Sequence, residues 1–308
     1  MLKLLFFGSG DFPVPVIENL IESKRIEIVG LITSPDTSLK SNPLHVLAKN
    51  AGISSYPPLD INADGQSILK SLNPDINLVC NYGQFLDKHI FDFPRFRTLN
   101  IHASLLPILR GACPIEIAIL SGLAKTGLTI QILEEKMDVG DIIYQTEVEI
   151  DKSETGGTLR KKLQKVAVEC IENVVLSWTS GKIIPVKQFH ENATYCYRDD
   201  ISKEAAKINW SDPAIEIERR IRAFDPNPTA WTTVQMGKLQ KRVKIFKADV
   251  LPTSAAYGLP GSTKVSGTIL SVQSGTAPVS IKSLQVEGKN KVNGEEFLRG
   301  LKEDIQFI

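Results

Sequence analysis

Apolar residues fall along the first half of the chain in two alternating rhythms. Lys3 to Phe7 is a short apolar run ending at Gly8-Ser9-Gly10, and from Pro13 to Ser23 the residues Val16, Ile17, Leu20 and Ile21 recur at helical spacing. Ile26 to Thr33 is rich in β-formers and stops at Ser34-Pro35-Asp36. The pattern predicts helices over Pro43 to Asn50, Gly65 to Leu72 and Pro114 to Ser121. Strands are predicted over Ile76 to Cys80, Thr98 to His102, Leu128 to Leu133 and Asp141 to Ile150. A longer helix from Gly157 to Trp178 opens at Thr155-Gly156-Gly157-Thr158 and stops at Ser180-Gly181. Strands alternating with helices imply right-handed βαβ units and a parallel α/β sheet. In such sheets ligands sit beyond the carboxyl ends of the strands, which directs attention to the segments after Phe7, Cys80, His102 and Leu133.

The rhythm then changes. Periodicity weakens after Lys182, as expected of a linker. Asp212-Pro213 opens a helix carrying Ile215, Ile217, Ile221, Ala223 and Phe224, and the chain breaks at Asp225-Pro226-Asn227-Pro228. Short β-like runs follow at Val243 to Phe246, Gly267 to Val272 and Val279 to Val286, the spacing of a small all-β domain such as a barrel. The expected partition is a first domain over 1–185, a linker over 186–206 and a second domain over 207–308.

Composition narrows the function classes. With 308 residues and 42% hydrophobic content, the chain has room for two domains. A net charge of +1 gives no global basic field, so contact with nucleic acid would have to be local. Residues 207–308 hold 15 Lys and Arg against 10 Asp and Glu, densest at Lys238, Lys241, Arg242, Lys244 and Lys247. That run alternates with apolar residues, so it reads equally as the solvated face of a strand or as a phosphate contact. Cys80, Cys113, Cys170 and Cys196 lie far apart without a CxxC pair, which suits reduced thiols in the cytoplasm. The opening MLKLLFFGSGDF is too short for a signal segment and reads as a first buried strand, and no apolar stretch reaches membrane-span length. His45, His89 and His190 are isolated, and no metal site is expected. Gly8-Ser9-Gly10 lacks the third glycine of a dinucleotide loop and reads as a strand-to-helix turn. Trp210 and Trp231 read as packing residues before base-stacking ones.

One constellation carries chemistry. Asn100 and His102 alternate on a strand, so their side chains share a face at its carboxyl end. An amide can donate to a developing oxyanion and an imidazole can move a proton near neutral pH, a combination that suits acyl transfer. Asp138, in Met137-Asp138-Val139-Gly140, could orient or charge the imidazole. By itself such a trio is common, and a histidine at a strand end is often structural.

The surrounding residues make the trio specific. Asn100-Ile101-His102-Ala103-Ser104-Leu105-Leu106-Pro107, Arg110-Gly111-Ala112-Cys113-Pro114-Ile115, Thr126-Gly127-Leu128-Thr129-Ile130 and Met137-Asp138-Val139-Gly140-Asp141 resemble the core of the formyltetrahydrofolate-dependent formyltransferases. Phe6-Phe7-Gly8-Ser9-Gly10-Asp11-Phe12, Ser34-Pro35-Asp36, Ala205-Ala206-Lys207-Ile208-Asn209-Trp210-Ser211 and Ile221-Arg222-Ala223-Phe224-Asp225-Pro226-Asn227-Pro228 are similar to the branch of that family acting on methionyl-tRNA. The resemblance implies a Rossmann-like catalytic domain, mostly parallel with helices on both faces, and a smaller C-terminal barrel (OB-like) that helps grip tRNA. It implies 10-formyltetrahydrofolate as formyl donor, no metal, an initiator methionyl-tRNA partner, and a cytoplasmic monomer. It implies Asn100, His102 and Asp138 as catalytic residues. Ser104, Leu105, Leu106 and Pro107, with Asn81, Tyr82 and Gly83 and the loop from Glu134 to Asp138, match the family's folate-pocket segments, and Phe12 matches a position that recognises the methionine side chain.

One stretch departs from the pattern. The tRNA-acting branch usually follows its Pro-Asp turn with an Arg and a longer Gly- and Lys-rich loop; here Thr37-Ser38-Leu39-Lys40-Ser41-Asn42 follows, short and with one Lys. A nucleotide-sugar N-formyltransferase would share the Asn-x-His and Asp core without needing that loop. A non-catalytic tRNA- or folate-binding paralogue is a further class, which the intact trio argues against. Glycinamide ribonucleotide formyltransferases normally end near the close of the first domain.

Overall fold

In a computed structural model of the chain, residues 1–35, 42–301 and 305–308 are described. Asp36 and the segment through Ser41, which hold most of the shortened loop, lie outside the described residues. The chain divides into two units. The first comprises Met1–Pro114, Lys125–Glu149 and Arg160–Tyr195, and the second Ile115–Ala124, Ile150–Leu159 and Cys196–Ile308.

The first unit is organised by seven strands. They are β1 (Leu2–Gly8), β2 (Ile26–Thr33), β3 (Ser55–Tyr56), β4 (Ile76–Cys80), β5 (Thr98–His102), β7 (Lys125–Ile132) and β8 (Ile142–Glu149) in the spatial order β3-β2-β1-β4-β5-β7-β8, with the two-residue β6 (Arg110–Gly111) lying off this sheet. From β3 to β5 all neighbours are parallel. The apolar strand runs need cover on both faces, as parallel strands do. Leu5, Phe7, Ile32 and Val79 pack with Ile61 and Leu69 of α3 (Ile61–Leu72) and Ile90 of α4 (Lys88–Phe91). Leu4, Phe6 and Leu31 alternate to the opposite face and are equally buried. The helices α1 (Val14–Ile21) and α2 (Pro43–Ala51) follow the first two strands. Asn42 caps α2 by accepting from the Leu44 and His45 amides. The α3 helix begins at Ile61, four residues before the expected start at Gly65, because Asp60 accepts from the Asn62 amide and caps it there.

Beyond β5 the sheet changes sense. β7 runs antiparallel to β5, and β8 antiparallel to β7. The carboxyl end of β7 therefore lies at the opposite edge from that of β5, so the parallel-sheet rule that directed attention to the segment after Leu133 does not apply to this strand. A strand's apolar pattern is the same in either direction, so local sequence does not reveal this reversal. The short helix α5 (Pro114–Leu120) lies between β6 and β7, and the long helix α6 (Gly156–Thr179) follows β8.

The second unit is an antiparallel sheet curled into a nearly closed barrel. After the two-residue β9 (Tyr195–Cys196) and α7 (Ala214–Ala223) come β10 (Trp231–Met236), β11 (Leu239–Val250), β12 (Thr263–Ser266), β13 (Ile269–Gln273), β14 (Pro278–Val286), β15 (Val292–Asn293), α8 (Gly294–Arg299) and β16 (Ile305–Phe307). Spatial order is β12-β13-β14-β11-β10-β16, with β15 also on β14. The Thr263 hydroxyl donates to the Ile305 carbonyl at 2.6 Å, and the Phe307 amide donates to the Gly261 carbonyl at 3.1 Å, drawing the ends of the path together. Ile217 and Ile221 of α7 join Val243, Ile245, Leu270, Val279 and Phe307 in the core. Trp210 is buried there, its indole N–H donating to Thr232 and its ring edge-on to Phe307. On β11, Val243 and Ile245 face inward while Arg242 and Lys244 face solvent, the alternation expected of a half-buried strand. Trp231 is flanked by Arg242 at 4.0 Å and Lys207 at 5.7 Å from its ring.

Candidate active site

The pairing of β5 with β7 assembles the site. Asn100 lies opposite Gln131 and His102 opposite Thr129, so these four polar side chains share one face of the sheet. The segment after β7 then folds back over that face and delivers Asp138, which adopts a left-handed backbone with φ of 55°.

The Asp138 carboxylate is surrounded by donors. Its Oδ1 accepts from Gln131 Nε2 at 2.7 Å and from Asn100 Nδ2 at 3.3 Å. Its Oδ2 accepts from the Gly111 amide at 2.8 Å and faces His102 Nδ1 at 3.6 Å. The last distance is an electrostatic contact, too long for a hydrogen bond. His102 and Asp138 are only 5% and 9% exposed. On the far side of the imidazole, Nε2 lies 2.8 Å from the Leu109 carbonyl. A carbonyl only accepts, so this nitrogen carries the hydrogen. A reacting group must displace the Leu109 carbonyl to reach Nε2.

The run after His102 is tied down by the same face. Thr129 Oγ1 donates to the Ser104 carbonyl at 2.6 Å and accepts from the Leu106 amide at 3.2 Å, while Gln145 Nε2 donates to the Leu106 carbonyl at 3.0 Å. Ser104 and Leu106 are buried, and Leu105 and Pro107 half-buried. Gly127 on β7 leaves room for Leu105: a Cβ there would stand 2.4 Å from Leu105 Cδ2 and 2.2 Å from the Thr146 carbonyl oxygen.

A second group gathers at the carboxyl ends of β1, β2 and β4, where the strand order reverses and doubly wound sheets open a crevice. Asn81 Nδ2 donates to the Ser9 carbonyl at 2.7 Å, and the Ser9 and Ser34 hydroxyls meet in a hydrogen bond. Tyr82 stacks edge-on against Phe7, with ring centroids 5.7 Å apart. Its hydroxyl is buried without a hydrogen-bond partner among the described residues. Burial, with the nearby Asp60 charge adding to it, pushes the phenol well above its usual pKa and keeps it a neutral donor. Asn81 and Gly83 are exposed beside it. Phe12 is buried, its carbonyl and that of Asp11 held by Gln164 Nε2 at 3.2 and 3.1 Å. Among the described residues, no group of three or more His, Cys, Asp and Glu is arranged to hold a metal.

Residues 2–175 match the family model for formyl transferase, and residues 200–302 match that for the formyl transferase C-terminal domain. The chain belongs to the formyl transferase family. It is 37% identical to a methionyl-tRNA formyltransferase of Bacillus cytotoxicus over 99% of this chain and 98% of that protein. Among solved structures, it shares its fold with the sugar 3N-formyl transferase WlaRD, at 17% identity and a TM-score of 0.67 over 94% of this chain and 99% of the other. It also shares its fold with HypX from Aquifex aeolicus, at 17% identity and a TM-score of 0.63, over 98% of this chain and 48% of the other.

Within this formyl transferase fold, Asn100, His102 and Asp138 lie together. The neighbours that hold them were not legible from the motifs. Gln131, Thr129 and Gln145 are polar positions in strands that read as merely extended. The Gly111 amide and Leu109 carbonyl are backbone groups that no residue type announces. Arg110, 1% exposed, and Gln188, 6% exposed, join the site from positions 78 residues apart.

Proposed function

We propose that this chain transfers the formyl group of 10-formyltetrahydrofolate to the α-amino group of initiator methionyl-tRNA in the cytoplasm. The observation that carries the reading is the meeting of Asn100, His102 and Asp138 on one buried face of the sheet. End-to-end identity to a curated methionyl-tRNA formyltransferase supports the choice of acceptor.

The residues fit the donor. Tyr82 offers a buried hydroxyl, unpartnered among the described residues, beside exposed Asn81 and Gly83, a polar edge suited to a planar hydrogen-bonding ring. Ser104, Leu105, Leu106 and Pro107 form the second wall in this reading, and Phe12 contacts the methionine side chain. The donor supplies a formyl carbon on a nitrogen leaving group. Asn100 donates to the formyl oxygen as charge develops on it. His102 carries the proton lost by the attacking amine toward the departing folate nitrogen, and Asp138 supports the charged ring. The same reading takes 1–185 as the catalytic domain, 186–206 as the linker and 207–308 as a tRNA-binding domain, with Arg242 and Lys244 offered to phosphates. The protein acts as a monomer.

The test offers the purified protein and 10-formyltetrahydrofolate two acceptors, methionyl-tRNA and an amino-sugar nucleotide. Formylmethionyl-tRNA is the expected product. Formylation of the sugar nucleotide alone overturns the assignment of the acceptor, and transfer to neither overturns the enzymatic reading.

A further inference from the structure

Behind Asp138 lies a chain of hydrogen bonds whose polarity runs one way. Arg110 donates to Gln188 Oε1 from NH2 at 2.7 Å and from Nε at 3.3 Å. Gln188 Nε2 is 2.7 Å from the Gly140 carbonyl, 3.0 Å from the Asp138 carbonyl and 3.2 Å from Gln131 Oε1. Gln131 Nε2 in turn donates to Asp138 Oδ1 at 2.7 Å. Both amide orientations are dictated by their neighbours. A guanidinium has no acceptor, so Gln188 must turn its oxygen toward Arg110 and its NH2 toward the carbonyls. That donor faces Gln131 Oε1 and leaves the Gln131 NH2 for the carboxylate. A cation thus stands at one end of the chain and a carboxylate at the other, with two aligned amide dipoles between them. Chains aligned in this way strengthen each bond they contain.

We propose that Gln188, acting through Gln131 and through the carbonyls of Asp138 and Gly140, is a positioning residue that holds the Asp138 carboxylate against Asn100 and His102. The proposal rests on the reading of Asp138 as catalytic. Two features make the role specific. Asp138 sits in a left-handed backbone conformation, and its carbonyl is held by Gln188. Gln188 contacts the loop at both ends of the Asp138–Gly140 turn, so its loss frees the backbone as well as the carboxylate. Gln188→Glu separates positioning from packing. The glutamate keeps both acceptor contacts to Arg110 but replaces the N–H donors with an oxygen facing two carbonyls.

Turnover, KM for methionyl-tRNA, the pH profile and melting temperature are measured for wild type, Q188E, D138A and the double variant. The expected result is a kcat loss for Q188E of about 10²-fold, the scale of a misplaced catalytic group. KM stays near wild type, the melting temperature falls because the Asp138 and Gly140 carbonyls lose their donor, the pH profile shifts, and the double variant is no slower than D138A. Wild-type kcat in Q188E beside an inactive D138A overturns the positioning role and leaves Asp138 catalytic. A Q188E loss that multiplies with that of D138A also overturns it, because Gln188 then acts elsewhere. Near-normal turnover of D138A overturns the reading of Asp138, and the proposal with it. Should Q188E fail to fold, Gln131→Met breaks the chain one link nearer Asp138 without touching Arg110, and the same outcomes decide.

Discussion

His102 Nδ1 lies 3.6 Å from Asp138 Oδ2, and both side chains are almost withdrawn from solvent. At a surface such a pair would be screened by water and salt; here burial removes most of that screening. Replacing either by alanine is expected to lower formyl transfer by roughly 10²- to 10⁴-fold, the contribution of a positioned acid–base group. Turnover assays on folded variants, with melting curves as control, check this. Near-normal rates in either variant sink the assignment.

Asp138→Asn makes a sharper case. Both carboxylate oxygens accept hydrogen bonds, from Gln131 and Asn100 on one side and the Gly111 amide on the other. An asparagine amide must turn its NH2 toward one of those donors. The variant should therefore lose stability as well as activity, by about 1–3 kcal/mol for a buried polar group left unsatisfied. Denaturant unfolding measures it, and unchanged stability would show that the site rearranges.

Asn100→Ala removes a donor from the reacting face and one of the bonds to Asp138. The expected cost is on the order of 3 kcal/mol in kcat/KM, that of an oxyanion donor, carried mostly by kcat. A rise in KM at constant kcat would instead assign Asn100 to substrate binding.

Gly140→Ala should be among the most damaging single-methyl additions in the first unit. A Cβ at Gly140 would fall 1.7 Å from the Ile132 carbonyl oxygen, a backbone atom on the strand that carries Gln131. The turn after Asp138 must move, so both melting temperature and turnover are expected to fall. An Ala variant as stable and active as wild type would refute this packing.

One carboxylate gives stability a pH dependence far from the site. Glu172 accepts from the Ser23 hydroxyl at 2.6 Å and from Arg25 Nε at 3.3 Å. The Ser23 bond, opposed by burial and aided by the Arg25 charge, holds its carboxyl below the ordinary 4.5. A lowered folded pKa contributes stability above the unfolded value, and that contribution is lost as pH falls through the folded value. Glu172→Gln should therefore be less stable than wild type near pH 7, with the difference closing under acid conditions. Because Arg25 is mostly exposed, the difference is expected to stay within about 1 kcal/mol. A gap that is constant with pH would remove the carboxylate from this account.

Local sequence determined a great deal about this protein. The apolar rhythm carried β1, β2, β4, β5 and the long helix α6, because burial and period are properties of neighbouring residues. The spacing of Asn100 and His102 put them on one face for the same reason, and the motif around them carried the family. Tertiary structure alone decided the rest. The reversal of β7 against β5 depends on strand pairing, which an apolar run does not encode, and it set Gln131 and Thr129 beside Asn100 and His102. Asp138 reaches His102 because its loop folds back over the sheet and not because it ends a strand at the same edge. Gln188 comes from a stretch whose weak periodicity gave no sign of burial, and its partners Arg110 and Gln131 lie 78 and 57 residues away. The candidate site was legible as residue types; the hydrogen bonds around it were not, because they join side chains and backbone atoms that only the folded chain brings within reach.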